Sequence, residues 1–384
     1  MSEVAQVTHS SPDGHIPQLR FPQFSHDWAI STIGNLAKID TGNRDTQDRV
    51  NSGKYPFYVR SNTVERINEY AFDGEAILTS GDGVGVGKNF HYVVGKFNYH
   101  QRVYSIHNFT NSTNGKFIYY YFADKFYRRA SRLSAKNSVD SVRMSMISDM
   151  PISIPAKPEQ QKIAAFLTAV DNKIELLRQK QELLGEYKKG LMQQIFSQAI
   201  RFKADDGSDF PDWEEKRLGG CILENQKSQI QVNFVSDNTE RDDVNIYPFF
   251  TSGNKALFTD SPIVEGDNIF LSTGGIATIN FYSGKGSYST DVFCISSVSE
   301  NTRFIYYYLL SILIKIDRKL FYGSGLKHLD KKAFRKIITT LPALPEQTKI
   351  ANFLSSVDSK IEQVGKQLDE SKQFKKALLQ RMFV

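Results

Sequence analysis

Cysteine is almost absent from these 384 residues, with only Cys221 and Cys294 present. Two thiols cannot supply a disulfide framework or a cysteine-based zinc site. With no signal-peptide pattern at the start, they fit a reducing cytosol. Long apolar runs are missing too. The longest, Phe304 to Ile314, falls well short of the ~18 residues of a membrane span. The expectation is a soluble cytoplasmic protein. Enzyme signatures are equally sparse. The glycine-rich stretch Gly81 to Asn89 fails as a phosphate loop, because Asp82 stands where the first glycine is needed and Asn89 where Ser or Thr is needed. It reads as a tight β-turn or as a loop approaching a nucleic-acid backbone, where missing Cβ atoms permit closeness. His91, His100, His107 and His328 show no metal-ligand spacing, and no Pro-Pro pair exists for a methyltransferase loop. The chain is expected to catalyse nothing by itself and to hold no metal.

Charge is present but unevenly placed. The net charge is only +6. Ten basic residues between Lys88 and Arg143 face two acids, a local excess of +8, and ten between Lys285 and Lys336 face four, an excess of +6. The rest of the chain is therefore acidic. Two basic windows, one per half, favour a polyanionic partner over a general solubility charge.

The chain repeats itself. Pro155–Glu175 (PAKPEQQKIAAFLTAVDNKIE) and Pro342–Glu362 (PALPEQTKIANFLSSVDSKIE) are identical at 15 of 21 positions. Upstream, Asn114–Phe122 (NGKFIYYYF) answers Asn301–Leu309 (NTRFIYYYL), and Gly95–Ile106 aligns loosely with Gly284–Ile295. Tyr55-Pro56-Phe57 recurs as Tyr247-Pro248-Phe249, and Trp28 recurs as Trp213. The chain's length suits two to four domains, and the repeat makes it two copies of one unit.

Each unit opens with about 130 residues of β-type runs and turn signals, such as Tyr55–Val59, Ala76–Ser80, Asn268–Thr273 and Asp291–Ser296. A helix is predicted near Phe117–Arg132 and near Phe304–Lys319. The tyrosine triplets on them read as core or as stacking platforms. Each unit closes with a long helix whose Pro-Glu start suits a first turn. Ile163, Leu167, Val170, Ile174 and Leu177 follow alternating 4/3 spacing, with Leu184 one heptad on past a polar Gln181, and Ile350, Leu354, Val357, Ile361, Val364 and Leu368 follow it without a gap. A sustained seam of this kind predicts a coiled coil, most simply formed by the two helices with each other. The fold class is α+β: two tandem mixed α/β modules with an antiparallel coiled-coil spacer and pseudo-twofold symmetry.

A unit that opens with FP…W (Phe21-Pro22…Trp28; Phe210-Pro211-Asp212-Trp213) and closes with P-x-PEQ-x-KIA-x-FL-x-x-VD-x-KIE resembles the specificity subunit of Type I restriction–modification systems. The resemblance runs from about Leu19 to the end. It implies an N-terminal tail (1–18), a first target-recognition domain (19–155), a central spacer helix (156–200), a linker (201–209), a second recognition domain (210–342) and a C-terminal spacer helix (343–384). It also implies double-stranded DNA as ligand, each module reading one half of a split, asymmetric site. Two modification subunits would methylate adenine and restriction subunits would cleave. S-adenosylmethionine, ATP and Mg would then belong to those partners, with no cofactor in this chain. Candidate DNA contacts in the first module are Arg60, Lys88, Tyr92, Tyr99, His100, Arg102, Arg128, Arg132, Lys136 and Arg143. In the second they are Lys255, Tyr282, Lys285, Tyr288, Arg318, Lys319, Lys327 and His328. Arg reaches guanine bidentately, whereas Lys mostly holds phosphate. A tandem scaffold or glycan-binding protein with a coiled-coil stalk is the alternative reading.

Overall fold

The computed structural model describes residues 6–7, 16–83, 85–133, 141–230, 246–253, 255, 257–297 and 299–384. By its contacts the chain divides into two units, Met1–Arg178 with Lys366–Val384, and Gln179–Gly365. Each unit therefore holds one module, the opening stretch of one long helix and the closing stretch of the other, or the reverse.

In the first unit a six-stranded sheet is built from β1 (Lys38–Thr41), β2 (Tyr55–Tyr58), β3 (Val64–Ile67), β4 (Phe72–Ser80), β5 (Phe90–Tyr99) and β6 (Val103–His107), in the order β1-β6-β4-β5-β2-β3. All neighbours are antiparallel except β2 and β5, which pair in parallel through Phe57–Asn98 and Tyr58–Tyr99. Helix α1 (Gly115–Leu133) packs on the sheet. Its start is fixed by the Asn114 side chain, which accepts a hydrogen bond from the Phe117 amide at 2.9 Å, the usual service of an N-terminal Asn. Phe117, Tyr120, Tyr121 and Phe122 then fall on its inner face and are buried. Ala29–Thr32 and Pro151–Ile154 pair antiparallel, so the module's beginning and end meet just before helix α2 (Lys157–Phe196).

The second unit repeats this plan. A four-stranded sheet has β7 (Ile222–Glu224), β10 (Asp267–Ser272), β11 (Ile279–Ser283) and β13 (Val292–Ser297), in the order β7-β13-β10-β11. A three-stranded sheet joins β8 (Tyr247–Phe250), β9 (Leu257–Thr259) and β12 (Ser287–Tyr288), with β8 and β12 parallel as in the first unit. Helix α3 (Thr302–Ser311) is capped by Asn301, which accepts from the Phe304 amide at 2.9 Å. Here the helix breaks, and α4 (Leu313–Leu320) follows before α5 (Leu344–Met382).

The tyrosine triplets are packing elements. Tyr120 and Tyr307 are each 2% exposed. The Tyr120 hydroxyl donates to Asp171 of α2 at 2.8 Å, and Tyr307 donates to Asp358 of α5 at 2.7 Å. Burial, reinforced by those carboxylates, pushes both phenols above their ordinary range. The second oxygen of each aspartate takes a lysine from the opposing helix, Lys375 to Asp171 and Lys188 to Asp358, both at 2.6 Å. In both units the long helices thus run antiparallel in one register, and every named seam position is buried or half-buried. No helix among the described residues is long and apolar enough to cross a membrane.

The structure corrects one alignment. Phe21 packs edge-on against Phe166, and Phe202 packs against Phe353. Arg20 forms a buried two-pronged pair with Glu159 at 2.7 and 2.8 Å, and Arg201, half-buried, forms the same two-pronged pair with buried Glu346 at 2.9 and 2.8 Å. Arg20-Phe21 is therefore the partner of Arg201-Phe202, and Phe21-Pro22 does not correspond to Phe210-Pro211. The buried carboxylate decides the matter, because it needs a guanidinium in each copy. Gln160 and Gln347 complete the motif. Gln160 accepts from the Asn114 amide at 2.8 Å and donates to the Pro155 carbonyl at 2.8 Å; Gln347 accepts from the Asn301 amide and donates to the Pro342 carbonyl, both at 2.9 Å.

Candidate nucleic-acid interface

One edge of each module is built from the same backbone and carries different side chains. In the first unit the Gly81 amide donates to the Arg102 carbonyl (2.7 Å), Val142 to Gly81 (2.7 Å) and His100 to Tyr58 (2.9 Å). In the second, Thr273 donates to Asp291 (2.9 Å), Leu329 to Thr273 (3.0 Å) and Ser289 to Phe250 (2.9 Å). Isolated β-bridges join Asp82 to Ser141 and Gly274 to His328. These correspondences pair Arg60 with Ser252, Asp82 with Gly274, His100 with Ser289, Arg102 with Asp291, and Ser141 with His328. No pair keeps its residue type.

On the first edge, Arg60 NH1 lies 3.1 Å from one oxygen of Asp82 and Arg102 Nε lies 3.8 Å from the other. The arginine side chains are 49% and 66% exposed. His100 is buried beneath them and accepts from the Arg102 amide through Nδ1 at 2.8 Å, which pins the turn. Burial, with Arg60 and Arg102 close by, outweighs Asp45 and Asp82 and holds its imidazole below the ordinary value. The glycine loop is anchored to the protein. Gly87 adopts φ +65°, and a Cβ there would lie 2.6 Å from the Tyr127 ring. Asn89 donates to the Arg60 carbonyl at 2.9 Å, and Lys88 beside it is exposed. Arg143, also exposed, lies two residues beyond Ser141.

On the second edge Asp291 accepts from the hydroxyls of Ser252 and Ser289. Burial alone would raise its carboxyl, yet the two hydroxyls outweigh it and hold the group below the ordinary carboxylate value. Thr273, Gly274 and Gly275 line a cleft of about 670 Å³ together with Ser252, Asp291 and His328. Lys327 and His328 are exposed, and the Lys327 carbonyl accepts from the Gly275 amide at 2.9 Å.

The other candidate residues fall elsewhere. Tyr99 is buried with its hydroxyl on Asp40 at 2.6 Å, and Tyr288 is buried with its hydroxyl on the Gln226 carbonyl. Both are packed inward. Tyr92 donates to Glu75 and carries Lys116 over its ring at 3.9 Å. Arg128 and Arg132 line a separate cleft of about 440 Å³ with Lys125 and Arg129. Tyr282 packs on Phe250 at 5.8 Å, while Lys255, Lys285, Arg318 and Lys319 are exposed. Lys136 lies outside the described residues. Among the described residues no cluster of His, Cys, Asp or Glu has the makings of a metal site. Basic-residue reasoning passed over Asp82, Ser252 and Asp291. The loose alignment of Gly95–Ile106 with Gly284–Ile295 already set Arg102 against Asp291 and was the signal for Asp291; nothing in it reaches Asp82 or Ser252.

A family model described as "Type I restriction modification DNA specificity domain" matches residues 25–186 and 211–370. The Type I restriction enzyme EcoDI specificity subunit of Escherichia coli is 26% identical over 205 residues, 53% of this chain and 44% of that protein. The chain thus spans less than half the length of that relative. The Type I restriction enzyme MjaVIII specificity subunit of Methanocaldococcus jannaschii is 23% identical over 410 residues, covering 94% of this chain and 92% of its own. The crystal structure of a Type I restriction–modification S subunit from M. genitalium matches with a TM-score of 0.72 at 17% identity, over 96% of this chain and 99% of that one. At that identity the likeness is one of fold.

Proposed function

The chain belongs to the family of Type I restriction modification DNA specificity domains, and from that premise we propose that it reads a split, asymmetric site on double-stranded DNA. Each module takes one half-site. The observation that carries this reading is the shared edge, on which one hydrogen-bonded backbone presents Arg60, Asp82 and Arg102 in one module and Ser252, Gly274 and Asp291 in the other. A constant scaffold with exchanged side chains is what two readers of different sequences require, because base edges are told apart by the placement of donors and acceptors.

In this reading the chain is the non-catalytic member of an assembly. Two modification subunits methylate adenine and restriction subunits cleave, and S-adenosylmethionine, ATP and Mg are bound by those partners. The antiparallel helices, with the same Tyr-Asp-Lys junction in both units, offer two like surfaces for two copies of one partner. Exposed cations such as Lys88, Arg128, Arg132, Arg318 and Lys319 hold phosphate.

Binding of the full chain to duplex DNA, measured across a salt series, tests this directly. The log–log slope should be steep, about −0.9 for each phosphate contacted. A slope near zero would contradict a DNA function and favour the scaffold or glycan-binding reading.

A further inference from the structure

The first edge differs from an ordinary phosphate-binding patch in one respect: an acid sits between its arginines. Asp82 is 26% exposed and engages Arg60 and Arg102 with its two oxygens. A carboxylate there repels phosphate and lowers affinity for any duplex. The cleft beside α1 shows the other design, with Lys125, Arg128, Arg129 and Arg132 in its lining and no carboxylate among the lining residues. Asp82 therefore costs general affinity, and its return lies in orientation. It approaches Arg102 at Nε, leaving both terminal nitrogens as the forked donor pair that guanine O6 and N7 take up, and it approaches Arg60 at NH1, leaving Nε and NH2 as the donor pair there. The hydrogen bond from the Arg102 amide to buried His100 fixes the backbone beneath that fork.

We propose that Arg60 and Arg102 are the base readers of the first module, that they select guanine in its half-site, and that Asp82 is the residue that positions them. This rests on the reading of the module as a DNA half-site binder. The corresponding place on the second edge holds Asp291 with two serine hydroxyls. Among the described residues that place has no arginine fork, so the proposed guanine preference belongs to the first module's half-site.

The test is selection by the full chain from a pool of duplexes randomised across both half-sites. Arg60→Ala, Arg102→Lys, Asp82→Asn and Arg128→Ala are compared with the unaltered protein. The unaltered chain should select guanine at one or more positions of one half-site. Arg102→Lys keeps the charge, so it should keep general binding while losing about ten- to a hundredfold of the guanine preference. Arg60→Ala should relax that preference in the same half-site. Asp82→Asn should bind unrelated duplexes more tightly, and its matched-to-mismatched ratio should fall about tenfold or more. Arg128→Ala should weaken every duplex alike. The assignment is overturned if Arg60→Ala and Arg102→Lys lower all duplexes equally with base preferences intact, or if Asp82→Asn leaves the ratio unchanged. If the unaltered chain selects no sequence, the half-site reading itself falls. Selection without guanine would overturn only the assignment made here.

Discussion

Glu159 and Glu346 show how much one buried carboxylate can organise. Each accepts both prongs of an arginine from the start of its own unit; Arg20 and Glu159 are 3% and 2% exposed, which leaves water no share in that bond, whereas Arg201 keeps 25% of its side chain exposed beside fully buried Glu346. Removing one member of such a pair strands a charge in the interior, which costs about 3–5 kcal/mol. Glu159→Ala should therefore lower the urea midpoint by an amount equivalent to that cost. Removing Lys372, whose ion pair with Asp369 is exposed on α5, should change it little. Equal effects of the two substitutions would show that Arg20 finds water or another partner once Glu159 is gone. Residue roles of this kind were partly legible in the sequence. The PEQ motif was visible twice, and its proline and acid announced a helix start. The real partner of the acid was not visible, because Arg20 lies 139 residues away from Glu159 and no local spacing links them. The FP pairs looked equivalent for the same reason. Short motifs align by letters, whereas Phe21 and Phe202 are matched by the rings they meet in α2 and α5.

The long helices were the most legible elements. Alternating 4/3 spacing over several turns leaves only one face that can be buried together, so both seams follow from period alone. The register had to come from the structure. Asp171 meets Lys375 and Asp358 meets Lys188, an arrangement that fixes which turn of one helix faces which turn of the other. It predicts an asymmetry between single and paired insertions. Seven residues added after Arg178 alone slide α2 past α5 and pull apart one of the two lysine junctions, so the yield of folded protein should fall. Seven added there and seven before Lys366 preserve both. At ~1.5 Å per residue this lengthens the helices by about 10 Å, or about three base pairs of duplex. The doubly extended chain should recognise the same half-sites with about three more base pairs between them. An unchanged gap would contradict the helices' role as a ruler. The sheets were less legible. Their strands were visible as β-type runs, but the parallel pairing of β2 with β5 and of β8 with β12 joins segments 41 and 38 positions apart, which no turn signal announces.

At the scale of the whole molecule, duplication rather than any catalytic motif supports the proposed function. Helix openings identical at 15 of 21 positions, beside modules poorly alike, already separate what is common from what is particular. On one edge of the modules the same backbone hydrogen bonds carry different side chains, Arg60, Asp82 and Arg102 against Ser252, Gly274 and Asp291. Counting cations could not find that edge, because it carries two acids, Asp82 just before the first basic window and Asp291 inside the second. Of the aromatic candidates, Tyr99 and Tyr288 have their hydroxyls spent on Asp40 and Gln226 inside their own modules. The central claim is that this chain chooses the DNA sequence on which an assembly acts. The most direct test is a methylation map of cellular DNA from cells carrying the chain together with its matching modification subunit, set against cells lacking only the chain. The account predicts adenine methylation at one split, asymmetric motif that vanishes when the chain is omitted. Methylation that persists without the chain, or a stable complex that leaves no motif, would contradict it.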